Sequence, residues 1–189
     1  GFPDPNKAEE KLICITVKYH AKKNIKVFGT GNFVSDRDDV QYIKCATEID
    51  LVHRFTEFWC KYNPDVVTGW NSIWLDGNDC IKRFIKGCND GVTKKFWKGK
   101  KRQLEDYQIS KRALKLSPWK EINKAVKDFG GETHPWYDTQ GIELIDYLPV
   151  FKKYAYTYGT QESYKLDNIA NVVLGERKRD DSEYGRVNV

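Results

Sequence analysis

The chain has 189 residues, with 32 Lys and Arg against 27 Asp and Glu, a formal charge of +5, and 40% apolar and 14% aromatic residues. That is one domain's worth of polypeptide with enough large side chain to build a core, which excludes wholesale disorder. No apolar run approaches the roughly 20 residues that cross a bilayer, and no charged-then-apolar leader opens the chain, so a soluble chain with no membrane partner is expected.

The first element is expected at Leu12 to Tyr19, which alternates and is rich in β-branched residues; Asn24 to Thr30 repeats the signal after the turn-like Ala21-Lys22-Lys23. Two antiparallel strands follow from that pattern. Val40 to Cys45 is a candidate third strand. From Thr47 the period changes: Ile49, Val52, Phe55, Phe58 and Trp59 recur at helical spacing, Thr47 can cap, Glu48 and Asp50 lie in the first turn, and Pro64 lies beyond the end. An amphipathic helix of about four turns is predicted. Asp65 to Trp70 reads as a short buried strand delivering Asn71 into a loop, and Leu75 to Lys86 as a second helix starting near Asp76. Helix, strand, loop and helix make an α/β arrangement with a site at the strand's carboxyl end.

Residues 82–127 hold 15 basic and 4 acidic side chains, a local charge of +11 against −6 for everything else. The segment is expected to be a basic helical insertion. Its densest part runs through Lys94, Lys95, Lys98, Lys100, Lys101 and Arg102, with Phe96 and Trp97 between them. Lysine and arginine interleaved with aromatics suit phosphates and bases together, and Lys94, Lys95, Lys100, Lys101 and Arg102 are the candidate DNA contacts. A solvated loop is the alternative. Asp128-Phe129-Gly130-Gly131-Glu132 is a turn signal, which places a β-hairpin over 122–141. Gly141 to Asp146 alternates as a further strand, and Tyr147 to Tyr156 and Leu166 to Leu174 look helical, with Gly175 as a stop.

The residue types exclude several chemistries. There is no phosphate-cradling glycine loop, no Gly-x-Ser-x-Gly elbow and no His-Glu-x-x-His helix. His20, His53 and His134 are scattered and read as structural. The five Cys are odd in number and form no Cys-x-x-Cys pair, which argues against disulfides or structural zinc and for reduced thiols in an intracellular compartment. No Met is present, and the ends at Gly1 and Val189 read as those of a piece from a longer polypeptide.

Thr68-Gly69-Trp70-Asn71-Ser72-Ile73-Trp74-Leu75-Asp76 stands apart, because a carboxylate at a helix start just beyond a buried strand can hold a divalent cation over a cleft. This motif resembles the second exonuclease motif of the family B DNA polymerases, particularly those of T-even-like phages and cyanophages. The resemblance runs in order along nearly the whole chain. Phe2-Pro3-Asp4-Pro5 looks like the stretch after the first exonuclease motif, and Leu116-Ser117-Pro118 like the link before the proofreading hairpin. Gly141-Ile142, Asp146-Tyr147-Leu148 and Lys152-Lys153-Tyr154 resemble a strand and helix of those enzymes. Ser163 to Asp167, Ile169-Ala170 and Leu174-Gly175-Glu176 resemble the helix and turn before the third motif. Around Asp76 the sequence departs from the family, with Gly77-Asn78 and Asp79 where apolar residues are usual.

The resemblance implies the 3′-to-5′ exonuclease domain of a viral DNA-directed DNA polymerase. Its fold would be a ribonuclease H-like mixed α/β sheet flanked by helices, lacking the first central strand, as a single domain over 1–189. The activity would be two-metal hydrolysis of misincorporated nucleotides with Mg²⁺ or Mn²⁺ in the parent enzyme. Asp76 would be a catalytic metal ligand, Asn71 would position the terminal nucleotide, and Arg177 and Lys178 would lie near the scissile phosphate. The partners would be a single-stranded primer end and the rest of the polymerase chain, in the cytoplasm of an infected cell. The first and third motifs are expected just before Gly1 and beyond Val189. One carboxylate binds Mg²⁺ weakly against its hydration shell, so the isolated fragment is expected to hold no metal and to be inactive. A non-catalytic single-stranded DNA-binding domain is the alternative, and exposed sheet edges imply possible self-association.

Overall fold

The computed structural model describes residues 11–20, 22–70, 113–129 and 132–177. Strands β1 (Cys14–Lys18) and β2 (Ile25–Gly29) form the antiparallel pair that their alternation predicts, with Cys14 opposite Gly29 and Lys18 opposite Ile25. Strand β3 (Val40–Lys44) joins β2 in parallel, which leaves β1 on the edge of a three-stranded sheet in the order β1-β2-β3.

Helix α1 (Glu48–Tyr62) begins and ends where its caps dictate. Thr47 has an extended backbone and its hydroxyl accepts from Asp50 N–H, while the Asp50 carboxylate accepts from Ala46 N–H, a reciprocal cap. That backbone bond, together with the Arg54 guanidinium, holds the Asp50 carboxyl below its usual range. At the other end Asn63 turns left-handed, donates to Trp59 carbonyl, and is followed by Pro64.

The helix buries Leu51, Val52, Phe55 and Thr56 against β2, with Phe28 meeting Phe55 edge-on at 5.6 Å between ring centres. Ile49, counted with the apolar stripe on spacing, is 45% exposed: the buried face runs through Leu51 instead. A single 3₁₀ turn, Ala113–Leu116, closes the core from the other side, where Trp59 Nε1 donates to Leu116 carbonyl at 2.8 Å.

Of the basic segment 82–127, residues 82–112 lie outside the described residues, as do the helix expected over 75–86 and residue 71. The described remainder contains the 3₁₀ turn Ala113–Leu116 and then turns into a strand. Ser117 precedes Pro118, a position that disfavours α-helix, and its buried hydroxyl donates to Gln140 carbonyl while accepting from the N–H groups of Trp119 and Glu121. That turn launches β5 (Ile122–Phe129), which pairs antiparallel with β6 (Glu132–Thr139) across the Gly130-Gly131 turn signal. Pro135 is tolerated in β6 because each strand of a two-stranded ribbon has a free edge.

Strand β7 (Glu143–Asp146) pairs in parallel with β4 (Val66–Gly69). Helix α2 (Tyr147–Tyr154) follows directly, capped by Asp146, and α3 (Leu166–Leu174) ends on Gly175 in the left-handed region. Among the described residues the strands form three sheets, β1-β2-β3, β4-β7 and β5-β6. The architecture is mixed α/β. Among the described residues, β1 and β4 each have one side without a neighbouring strand. Among the described residues no helix is long and apolar enough to cross a membrane.

Candidate functional site

The residues of the site expected from sequence follow the carboxyl end of β4 in the chain. Its register is fixed by the parallel ladder with β7, which places Gly69 opposite Asp146 and so aligns the carboxyl ends of both strands. The backbone N–H of Glu143 donates to Asp65 carbonyl at 2.9 Å and sets where the pairing begins. In α/β structures ligands bind in the crevice outside such strand ends.

Trp70, the residue after β4, fastens this end. Its indole Nε1 donates to Tyr164 carbonyl at 3.2 Å, and its ring lies 5.6 Å from Phe151 and 6.2 Å from Tyr147 between centres. One side chain therefore ties β4 to α2 and to the segment that starts α3. Whatever follows Trp70 in the chain leaves from a fixed point.

Asn71 and Asp76 follow it, and both lie outside the described residues, as do Lys94, Lys95, Lys100, Lys101, Arg102 and Lys178. Arg177 is described. It comes after Gly175, at the end of α3 remote from Tyr164, and its Nε donates to Asn171 Oδ1 at 3.2 Å. Nine helical residues at 1.5 Å each put about 13 Å between the two ends of α3.

The structure also brings forward a carboxylate that sequence reasoning used only as a family landmark. Asp146 is buried, ends β7 beside Gly69, and accepts from Leu148 N–H at 2.9 Å as the cap of α2. The signal for it was an acid between an alternating strand and a helical run, a capping pattern. Among the described residues no group of three or more His, Cys, Asp or Glu side chains is placed to hold a metal ion.

Residues 1–76, from the first residue to the predicted metal ligand, match the sequence model of the DNA polymerase family B exonuclease domain. Over those 76 residues the chain is similar to family B polymerase exonuclease domains. The chain is also 28% identical over 150 residues to the DNA polymerase of Pyramimonas orientalis virus, covering 79% of this chain and 11% of that protein. It is 23% identical over 195 residues to the DNA-directed DNA polymerase of Enterobacteria phage T4, covering 89% and 19%. With the DNA-directed DNA polymerase of Escherichia phage RB69 the identity is 24% over 142 residues, covering 75% and 13%. The chain therefore spans a tenth to a fifth of the length of these relatives.

Proposed function

We propose that this chain is part of the 3′-to-5′ exonuclease domain of a viral DNA-directed DNA polymerase, acting in the infected cell on the single-stranded 3′ end of a primer. The observation that carries the reading is the Thr68-Gly69-Trp70-Asn71 motif at the anchored end of β4, with Asp76 five residues beyond Asn71, inside the segment that matches the exonuclease family. The comparisons with polymerases of viruses and phages support the substrate class.

In this reading the chain's own groups have separable tasks. Trp70 fixes the departure of the loop, Asn71 offers an amide to the terminal nucleotide, and Asp76 presents a carboxylate toward the scissile phosphate. Exonuclease domains of this family use divalent metal ions, Mg²⁺ or Mn²⁺, whose role is to lower the pKa of water and stabilise the leaving 3′ oxygen. Two such ions need several converging carboxylates, and the described residues do not make that centre; Asp76 is assigned as one ligand only. Lys94, Lys95, Lys100, Lys101 and Arg102 are assigned to phosphates of the incoming strand, and Arg177 and Lys178 to phosphates further along it. The β5–β6 hairpin is assigned to parting the primer end from its template. The single mixed ribonuclease H-like sheet requires one more strand between the open sides of β1 and β4, which is part of the same proposal.

The test is Asp76→Ala in the polymerase polypeptide that contains this chain. Metal-dependent trimming of a single-stranded 3′ end is expected to fall by on the order of a hundredfold or more, since loss of a residue merely supporting a ligand already costs about 10 to 100-fold. Unchanged trimming would remove Asp76 from the site.

A further inference from the structure

The carboxyl end of α1 and the turn between β1 and β2 enclose a cavity of about 160 Å³. Helix α1 ends at Tyr62, four residues before β4 begins at Val66, whereas Asn71 to Asp76 come after that strand in the sequence. Three aromatic side chains, Tyr19, Phe58 and Tyr62, form its wall, with ring centres 5.2 Å apart for Tyr19 and Tyr62 and 4.5 Å for Phe58 and Tyr62. Two ammonium groups flank the rings. Lys22 Nζ is 5.7 Å from the centre of Tyr62, and Lys26 Nζ is 5.6 Å from that of Phe58 and donates to Gln41 Oε1 at 2.6 Å. The amides of Asn24 and Gln41 complete the lining, which contains no carboxylate.

The surroundings have the same sign. Residues 18–26 carry four lysines and no acid. The nearby Asp39 carboxylate is held by both nitrogens of the Arg37 fork, at 2.9 and 2.7 Å, so that charge is already neutralised. Rings that can stack, cations that can meet phosphate, and amides that can donate and accept at a base edge are the three parts of a single-strand nucleic-acid subsite. The volume is enough for a planar ring: a cavity near 150 Å³ accepts benzene.

We propose that this pocket binds one nucleotide of a single DNA strand, its base against Tyr19 and Tyr62 and its flanking phosphates at Lys22 and Lys26. The site is independent of Asp76, and the two fail separately: trimming reports on Asp76, equilibrium binding on the pocket.

The experiment titrates the purified 189-residue chain with a fluorescein-labelled twelve-nucleotide oligo(dT), read by anisotropy between about 50 and 200 mM salt. In the Lys22→Gln/Lys26→Gln double variant the slope of log affinity against log salt is expected to fall by about 1.4, two single-strand phosphate contacts at about 0.7 each. Tyr62→Leu is expected to weaken binding about tenfold through lost stacking, and ultraviolet cross-links in the wild type to map to the peptides holding Tyr19 and Tyr62. Tyr62 ends a helix that contributes to the core, so the lysine variant carries the decision if Tyr62→Leu fails to fold. An unchanged slope in the lysine variant, or cross-links confined to residues 82–127, would overturn the proposal.

Discussion

Gly141 shows how one residue between the hairpin and the site holds its neighbours in place. Its φ is +85°, a region that costs an L side chain, and a Cβ there would sit 2.6 Å from Pro118 Cγ and 3.2 Å from the Trp119 ring. The close approach exists because Ser117, Pro118 and Gln140 are drawn together by the buried Ser117 hydroxyl. Gly141→Ala is therefore expected to destabilise the chain by about 1–3 kcal/mol, strain and overpacking acting together. Urea unfolding checks it: the midpoint should fall with the slope unchanged, and an unaltered midpoint would show that the loop relaxes at no cost. Sequence alone marked Gly141 as part of a family match. That its backbone is left-handed and faces Pro118 is a fact of packing across 23 residues.

Among the elements, α1 and the β4–β7 pair differ in how much of their structure is local. Helix α1 is written into its own residues, with Thr47 and Asp50 capping one end and Asn63 and Pro64 closing the other. Strand β4 is not, since Val66 is 54% exposed and four residues hold little propensity of their own. It is held by its ladder to β7, which is 77 residues away in sequence at Gly69 and Asp146, and by Trp70. Trp70→Phe keeps a ring against Phe151 and deletes only the hydrogen bond to Tyr164 carbonyl. A loss of about 1 kcal/mol is expected, with faster hydrogen exchange at the amides of α3, whose first turn hangs from that bond. Exchange unchanged in α3 would mean that the buried Ile169, and not Trp70, fixes the helix.

For the whole molecule, the open side of β1 is the feature with consequences for association. Cys14, Thr16 and Lys18 are exposed along an edge that lacks a partner strand among the described residues, and such an edge is a template for pairing. We propose that the isolated chain self-associates through it. Light scattering is expected to give a mass above 22.1 kDa that rises with concentration. Thr16→Pro, which disrupts strand pairing, should lower it; a concentration-independent monomer would refute the idea.

Strands β1 to β3, helix α1 and the two later helices were legible because alternation, helical period and capping residues act within a few positions. The turn signal at Gly130-Gly131 and the stop at Gly175 were legible for the same reason. The motif from Thr68 to Asp76 was legible as a pattern of residue types, and the match of residues 1–76 to an exonuclease family rests on that same linear order. Tertiary structure alone decided the division of the described strands into three sheets, the exposure of Ile49, and the aromatic and lysine pocket at the end of α1. Those depend on which distant segments lie within a few ångströms of each other, and that is settled by hydrophobic burial and backbone pairing summed over the chain, which no local pattern encodes.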